Sequence, residues 1–180
     1  HLSPDIPKAR KFYDALFGWH TESMPIDGQR YSMILNGDGT TSTGIGGYGI
    51  AAAGARPQWM SYLSVADVDA SYRTALEAGG TSISAPMNYG SVGRGAALAD
   101  PTGAVFCIWE PRGSIGAEIV NEPGPLTLNQ LNTSDPERAL ALIRMAVENA
   151  PRTDRLWIED IYHKIYCGTS PDVRSNSDGL

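Results

Sequence analysis

The stretch SPDIPKARKFYDALFG, residues 3–18, decides the fold of the first part of this chain. Its apolar residues recur at three- and four-residue spacing, which predicts an amphipathic helix packed on a flat surface. We expect Ser3 or Asp5 to cap the helix and Gly18 to end it. The predicted apolar face consists of Ile6, Ala9, Phe12, Tyr13, Leu16 and Phe17, and the predicted polar face of Lys8, Arg10, Lys11 and Asp14.

The same unit returns further along the chain. SVADVDASYRTALEAGG, residues 64–80, has the same helical pattern, and NTSDPERALA, residues 132–141, starts a third copy that then decays. Strand-like runs occupy 19–25, 30–37 and 42–49 after the first helix, and 58–65, 81–87, 95–100 and 104–111 around the second. Self-similarity at intervals indicates a duplicated supersecondary unit.

We therefore predict an α+β fold of two βαβββ modules, residues 1–49 and 57–111, followed by a C-terminal helical extension. The first module is expected to lack its opening strand, because only His1 and Leu2 precede the cap. Residues 112–180 are interpreted as a linker, the decayed third-module start and a helical tail. The tail's predicted helical face consists of Ile158, Ile161, Tyr162, Ile165 and Tyr166.

Composition narrows the classes of function. The 180 residues include 20 acidic and 14 basic side chains, a net charge of -6, which argues against nucleic acid or anionic lipid as a partner. No apolar run approaches the roughly 20 residues of a membrane span. Two cysteines without a CxxC pattern favour a reducing compartment, and without a signal-peptide pattern we expect a cytoplasmic protein.

Three segments resemble one protein family: PDIPKARKFYDALFGW, SVADVDASYRTALEAGGT and especially ADPTGAVFCIWEP. They are similar to the vicinal oxygen chelate superfamily, which includes glyoxalase I, extradiol dioxygenases and bleomycin-resistance proteins. The nearest variety is the tandem glyoxalase-like proteins labelled hydroxylases in actinobacteria. The resemblance implies that the sheets of two βαβββ modules curl into one cup with a ligand cleft.

The resemblance also locates the metal ligands of metal-using members, which are His or Glu residues on the first and last strands of each module. In the second module these positions fall on Met60 and Cys107. A thioether is too soft for a hard divalent ion, and a neutral thiol substitutes poorly for a carboxylate. The three histidines show no HxH, HxxxH or HExxH spacing. We predict no metal, with a divalent ion bound through groups outside this chain as the alternative.

Five residues are predicted to bind a ligand. Alternation along strands places Met60 with Tyr62, and Cys107 with Trp109, on faces that look into the cup in the family. Arg94, in the glycine-rich turn 88–95, is positioned to meet an anionic or carbonyl group. The alternatives are core packing for the strand residues and a solvated hairpin tip for Arg94.

The leading hypothesis for function is a glyoxalase-like protein that holds a small, partly apolar organic molecule without a catalytic metal. It would act as a binding or resistance protein or as a metal-free enzyme of secondary metabolism. The rival hypotheses are a metal-dependent lyase or dioxygenase with ligands from outside the chain, and a degenerate duplicate with a structural role.

A last expectation concerns PLTLNQL, residues 125–131, which precede the third helix start. If the first sheet lacks its opening strand, this segment can fill the unpaired edge, either within the chain or between chains as a strand-exchanged homodimer.

Overall fold

In a computed structural model of the chain, the described residues are 1–26, 28–37, 43–52, 54–126 and 137. They form two successive copies of the βαβββ module, as predicted. The first copy consists of β1 (Leu2–Ser3), α1 (Ile6–Phe17), β2 (His20–Ile26), β3 (Gln29–Asn36) and β4 (Thr43–Ile50). The second consists of β5 (Tyr62–Ser64), α2 (Val68–Glu77), β6 (Thr81–Tyr89), β7 (Gly93–Ala99) and β8 (Val105–Pro111). The fold class is α+β with two βαβββ modules.

The chain divides into two compact units whose limits differ from those of the modules. The first unit combines His1–Tyr62, Met87–Gly95 and the described residues from 111 to 126. The second unit includes Leu63–Pro86 and Ala96–Glu110. The predicted module boundaries, and the cup between the two sheets, stay predictions.

The ends of α1 are those that the sequence predicts. The side chain of Asp5 accepts a hydrogen bond from the backbone N–H of Lys8 at 3.0 Å, so Asp5 rather than Ser3 is the cap. Gly18 adopts the left-handed conformation with φ 70° and donates its N–H to the carbonyl of Asp14 at 2.9 Å. Glycine reaches this region without a steric cost.

The faces of α1 differ from the prediction. Phe12 and Leu16 are 59% and 57% exposed, although both belong to the predicted buried face. Arg10 and Asp14, predicted to face solvent, are half-buried. Ile6, Ala9 and Tyr13 are half-buried and Lys8 and Lys11 are exposed, as predicted. The helix is therefore turned only in part, so that Arg10 and Asp14 join the packed side. The periodicity could not show this, because it does not reveal which side of the helix meets Tyr48.

The first sheet has the strand order β1-β4-β3-β2. β1 runs parallel to β4, with the N–H of Gly49 donating to the carbonyl of His1 at 2.9 Å and that of Ala51 to Ser3 at 3.1 Å. The prediction of a missing opening strand is wrong, because two residues suffice to pair here. The vacancy proposed for residues 125–131 is therefore occupied by β1; residues 127–131 lie outside the described part.

The second sheet has the order β5-β8-β7-β6. The cap of α2 is Asp67, the counterpart of Asp5, whose side chain accepts from the N–H of Ala70 at 2.9 Å. The predicted strand 58–65 shrinks to Tyr62–Ser64, whereas β6 extends into the predicted turn as far as Tyr89. The buried core of this unit consists of Val65, Val68, Ala75, Ala96, Leu98 and Ile108.

The helical extension and the third-module start fall on residues after 126, which lie outside the described part except for Glu137. Among the described residues, no helix is long and apolar enough to cross a membrane.

Candidate functional site

The two faces of the first sheet are unlike each other. Ile34 and Tyr48 point to the side of α1 and are 1% and 3% exposed. Burial raises the pKa of the Tyr48 phenol to about 12, with Asp14 and Tyr13 adding to the effect and Arg10 opposing it. Tyr48 is therefore neutral at physiological pH. This face packs against α1, which leaves the opposite face of the first sheet as the candidate for ligand binding.

The opposite face, which we name the open face, carries Tyr31 and Met33 of β3 at alternate positions. Met33 pairs in register with Gly47 of β4. A Cβ atom on Gly47 would lie 2.7 Å from Cε1 of Tyr31 and closer still to Cζ and Oη. The absence of a side chain at Gly47 thus lets the phenol lie against the β4 backbone, as glycine within a strand often does for a neighbouring group.

The sequence indicated this close approach. Glycines inside a strand, such as Gly46 and Gly47, often mark a close backbone approach or a bulge, and the structure shows both. The register between β3 and β4 shifts between Ile34 and Leu35, so that Ile34 pairs with Gly46 and Leu35 with Gly44. The glycines mark the place where the sheet adapts to Tyr31, although the sequence did not identify Tyr31 itself.

The open face combines thioethers and a phenol with the exposed carboxylate of Glu22, which pairs in register with Met33. Tyr31 is 39% exposed, and Met24, its partner in register on β2, is 44% exposed. Burial of the hydroxyl end against β4 raises the pKa of Tyr31, and Tyr89 raises it further. The phenol of Tyr31 therefore stays protonated and can donate a hydrogen bond. Methionine beside it offers a polarizable surface that suits aromatic rings.

Glu118 borders the open face. Its carboxylate Oε2 accepts from the N–H of Gly44 at 2.8 Å, and its own N–H donates to the carbonyl of Gly44 at 2.9 Å. This pair of bonds fixes the segment after β8 to the start of β4. Glu118 is exposed and acts here as a clamp for the backbone.

An aromatic cluster that the sequence did not predict joins α1 to the linker before β5. Trp59 donates its Nε1–H to the hydroxyl of Tyr13 at 3.0 Å, and the rings of His1 and Trp59 are 4.9 Å apart. Trp19 donates its Nε1–H to the carbonyl of Gly124 at 3.1 Å. These contacts hold the segment before β5 and the segment after β8 against the first unit.

The five predicted site residues fall in different places. Arg94, on β7, is half-buried and donates to Oδ1 of Asn88 at 3.1 Å, both within the first unit. Met60 is half-buried and Tyr62 is 56% exposed in that unit. Their role in binding stays a prediction.

Cys107 and Trp109 belong to the second unit. Cys107 is 5% exposed and Trp109 half-buried, and both alternate along β8 with Ile108, which packs in the core beside α2. Their side chains therefore face away from α2. Whether they contact a ligand stays a prediction.

The residues at the family's metal positions do not fit a hard divalent ion. Met60 and Cys107 supply sulfur, and the two belong to different units. Among the residues that the structure describes, no group of three His, Cys, Asp or Glu side chains is close enough to share an ion.

Comparison with known proteins gives consistent matches. A family model described as a glyoxalase-like domain matches residues 3–109. The protein named "Putative glyoxylase CFP32" of Mycobacterium tuberculosis is 38% identical over 146 residues, which cover 79% of this chain and 56% of that protein. The "Anthracycline biosynthesis protein DauV" of Streptomyces sp. strain C5 is 29% identical over 174 residues, covering 86% of this chain and 63% of that protein. The chain thus spans a little over half the length of these relatives.

Proposed function

The chain belongs to the glyoxalase-like domain family, and we propose that it binds a small, partly apolar organic molecule on the open face of its first sheet without a metal. It would serve as a binding or resistance protein or as a metal-free enzyme of secondary metabolism. The observation that carries this proposal is the phenol of Tyr31 lying on Gly47 with Met24 and Met33 beside it.

Three features of the open face support binding of a flat organic molecule. Gly47 lets the phenol of Tyr31 lie against the β4 backbone, which fixes an aromatic surface on the open face for a planar ligand. The thioethers of Met24 and Met33 favour contact with aromatic rings. The phenol, kept neutral by its raised pKa, can donate to a carbonyl oxygen of the ligand.

The names of relatives suggest the kind of metabolism. DauV and the "Anthracycline biosynthesis protein DnrV" of Streptomyces peucetius are both named for anthracycline biosynthesis. We propose that this chain likewise meets a product or intermediate of secondary metabolism. The absence of suitable metal donors at Met60 and Cys107 supports the metal-free form of the proposal.

The test uses naphthamide, a neutral aromatic probe that carries one carbonyl acceptor, and measures its Kd by ligand-observed NMR. We expect Gly47→Ala to weaken binding about tenfold or more, because the new methyl group displaces the ring of Tyr31. The matched control is Gly46→Ala, whose Cβ would meet only Cδ1 of Ile34 at an ordinary 3.9 Å. This control should bind as the wild type does.

Equal affinity of the wild type and Gly47→Ala would overturn the placement of the site. Elemental analysis of the purified protein tests the metal-free part separately. Stoichiometric zinc, nickel, manganese or iron would contradict it and favour a metal-dependent lyase or dioxygenase.

A further inference from the structure

The carboxylate of Glu118 is held at the edge of the open face, beside Met33. A Cβ atom built on Gly44 would lie 3.6 Å from Oε2 of Glu118 and 3.6 Å from Sδ of Met33. The two side chains therefore meet over one backbone position, and these atoms are no further apart than the two distances laid end to end. Glu118 thus borders the same surface as the thioether that we place against the ligand.

The backbone of β4 fixes Glu118 in this position. Oε2 accepts from the N–H of Gly44 at 2.8 Å, and the N–H of Glu118 donates to the carbonyl of Gly44 at 2.9 Å. A side chain that is already held in this way loses little further conformational entropy when it binds a ligand. A carboxylate has about four acceptor sites on its two oxygens, so Glu118 can bind a donor group and keep its bond to Gly44.

The charged side chains around this part of the open face are acidic. Glu22 is exposed and pairs in register with Met33, which adds a carboxylate on the β2 side. Within the described strands β2–β4, Arg30 is the only Lys or Arg, and alternation along β3 places it on the opposite face from Tyr31. Residues 113–126 contain neither Lys nor Arg. This end of the open face therefore favours a cationic group over an anionic group.

The register of the first sheet gives the distance between Glu118 and Tyr31. Gly47 pairs with Met33, and Gly44 pairs with the residue two positions further along β3, so the two glycines are about 7 Å apart along the strand. The hydroxyl of Tyr31 lies on Gly47, and the carboxylate of Glu118 lies beside Gly44. A molecule between these positions meets a hydrogen-bond donor at one end and an acceptor at the other, with a thioether beneath it.

We propose that Glu118 is a specificity-determining residue of the open face, and that the ligand carries an ammonium group about 7 Å from its carbonyl oxygen. This inference rests on the proposed function, which places the ring on the open face and the carbonyl oxygen at the phenol of Tyr31. It adds the class of ligand, namely a planar molecule with a carbonyl acceptor and a cationic amine.

The test compares neutral naphthamide with two aminomethyl naphthamides, again by ligand-observed NMR. In the para isomer the aminomethyl group stands opposite the amide on the same ring, which reproduces the spacing between Gly47 and Gly44. In the long isomer it stands at the far end of the other ring. We expect the wild type to bind the para isomer about fivefold more tightly than naphthamide, as an exposed ion pair implies. The long isomer should gain less than about twofold.

Glu118→Gln is the diagnostic variant. It should abolish the advantage of the para isomer and leave the affinity for naphthamide unchanged. Its amide oxygen can still accept from the N–H of Gly44, so the melting temperature should stay close to that of the wild type. The matched control is Glu122→Gln, which removes the same charge from an exposed residue of the same segment. This control should keep the advantage.

The outcomes separate the two proposals. Equal affinity of the wild type for naphthamide and the para isomer refutes the amine subsite while the open-face site can stand. The same holds if the advantage survives Glu118→Gln, if Glu122→Gln removes it equally, or if the long isomer gains more. If the advantage depends on Glu118 but no probe responds to Gly47→Ala, the subsite stands and the proposed ring site fails. Failure of the wild type to bind any probe overturns both.

Discussion

The Asp100 carboxylate organises the turn between β7 and β8, and its removal has a predictable cost. Oδ1 accepts from the N–H and hydroxyl of Thr102 at 2.8 and 2.7 Å and from the N–H of Ala104 at 2.9 Å. Asp100 is only 4% exposed, so water replaces these bonds poorly. The turn leads directly into β8, which carries Cys107 and Trp109.

Asp100→Ala should lower the free energy of unfolding by about 3 kcal/mol. A hydrogen bond to a charged group contributes roughly 1.5–3 kcal/mol to stability. Because the three bonds share one oxygen atom, their contributions do not add. Urea unfolding followed by circular dichroism measures this value. Thr102→Val, which removes one donor and leaves the carboxylate bonded to backbone, should cost about 1 kcal/mol.

The pH dependence of protein stability gives a second test of the role of Asp100. Burial raises the pKa of Asp100, but hydrogen bonds from Thr102, Ala104 and Gly103 outweigh it and leave the pKa below its ordinary value. A carboxyl group with a lowered folded pKa stabilises the protein above the pKa of the unfolded chain, and this contribution is lost as the pH falls through the folded pKa. The difference in stability between wild type and Asp100→Asn should therefore shrink below about pH 4.

Two results would refute this reasoning. The first is a cost of Asp100→Ala below about 0.5 kcal/mol, the level of an ordinary surface substitution. The second is a stability difference between wild type and Asp100→Asn that stays constant from neutral pH down to about pH 3, since both pKa values of the carboxyl group lie near or below its ordinary range.

The remaining predictions concern the first unit. The hydroxyl of Tyr48 is buried and makes no hydrogen bond within the described part of the chain, so Tyr48→Phe should change the free energy of unfolding by less than about 1 kcal/mol at pH 7. Because the folded pKa of Tyr48 is raised to about 12, the stability it contributes is lost as the pH rises toward that value, and the phenylalanine variant should resist alkaline unfolding better. Gly18→Ala should cost about 1–2 kcal/mol in urea unfolding from backbone conformation alone, because φ is 70° and a Cβ would meet nothing within 4 Å. A smaller loss would mean that the helix end rearranges.

The element order was predictable because each signal in it is local. Asp5 and Asp67 cap helices through atoms three residues away, and Gly18 adopts a positive φ where the sequence predicts the end of α1. Because the module occurs twice, a strand with a weak sequence pattern in one copy is supported by the corresponding strand of the other copy. The strand β1 was not predicted, because a parallel strand of two residues is too short to show an alternating sequence pattern and forms by pairing with the backbone of β4.

The candidate site was less predictable because its members meet only in three dimensions. Arg94 was predicted from its glycine-rich turn, but its bond to Asn88 forms because β6 and β7 are neighbours in one sheet. Tyr31 lies on Gly47 because of the β3–β4 register, which depends on the bulge beside Ile34. A sequence can mark the glycine that permits a contact without naming the side chain that makes it.

The glycines of β4 explain how one strand supports both packing and binding. Tyr48 points to α1 and fills that face with a large buried ring, whereas Gly47, one residue earlier, leaves the other face bare except for Tyr31. Because strand side chains alternate, substitutions at Gly47 alter the open face without disturbing the packing under α1. Under the proposed function, ligand preference can therefore change at Gly47 and Tyr31 while Tyr48 and Ile34 keep the sheet and its helix together.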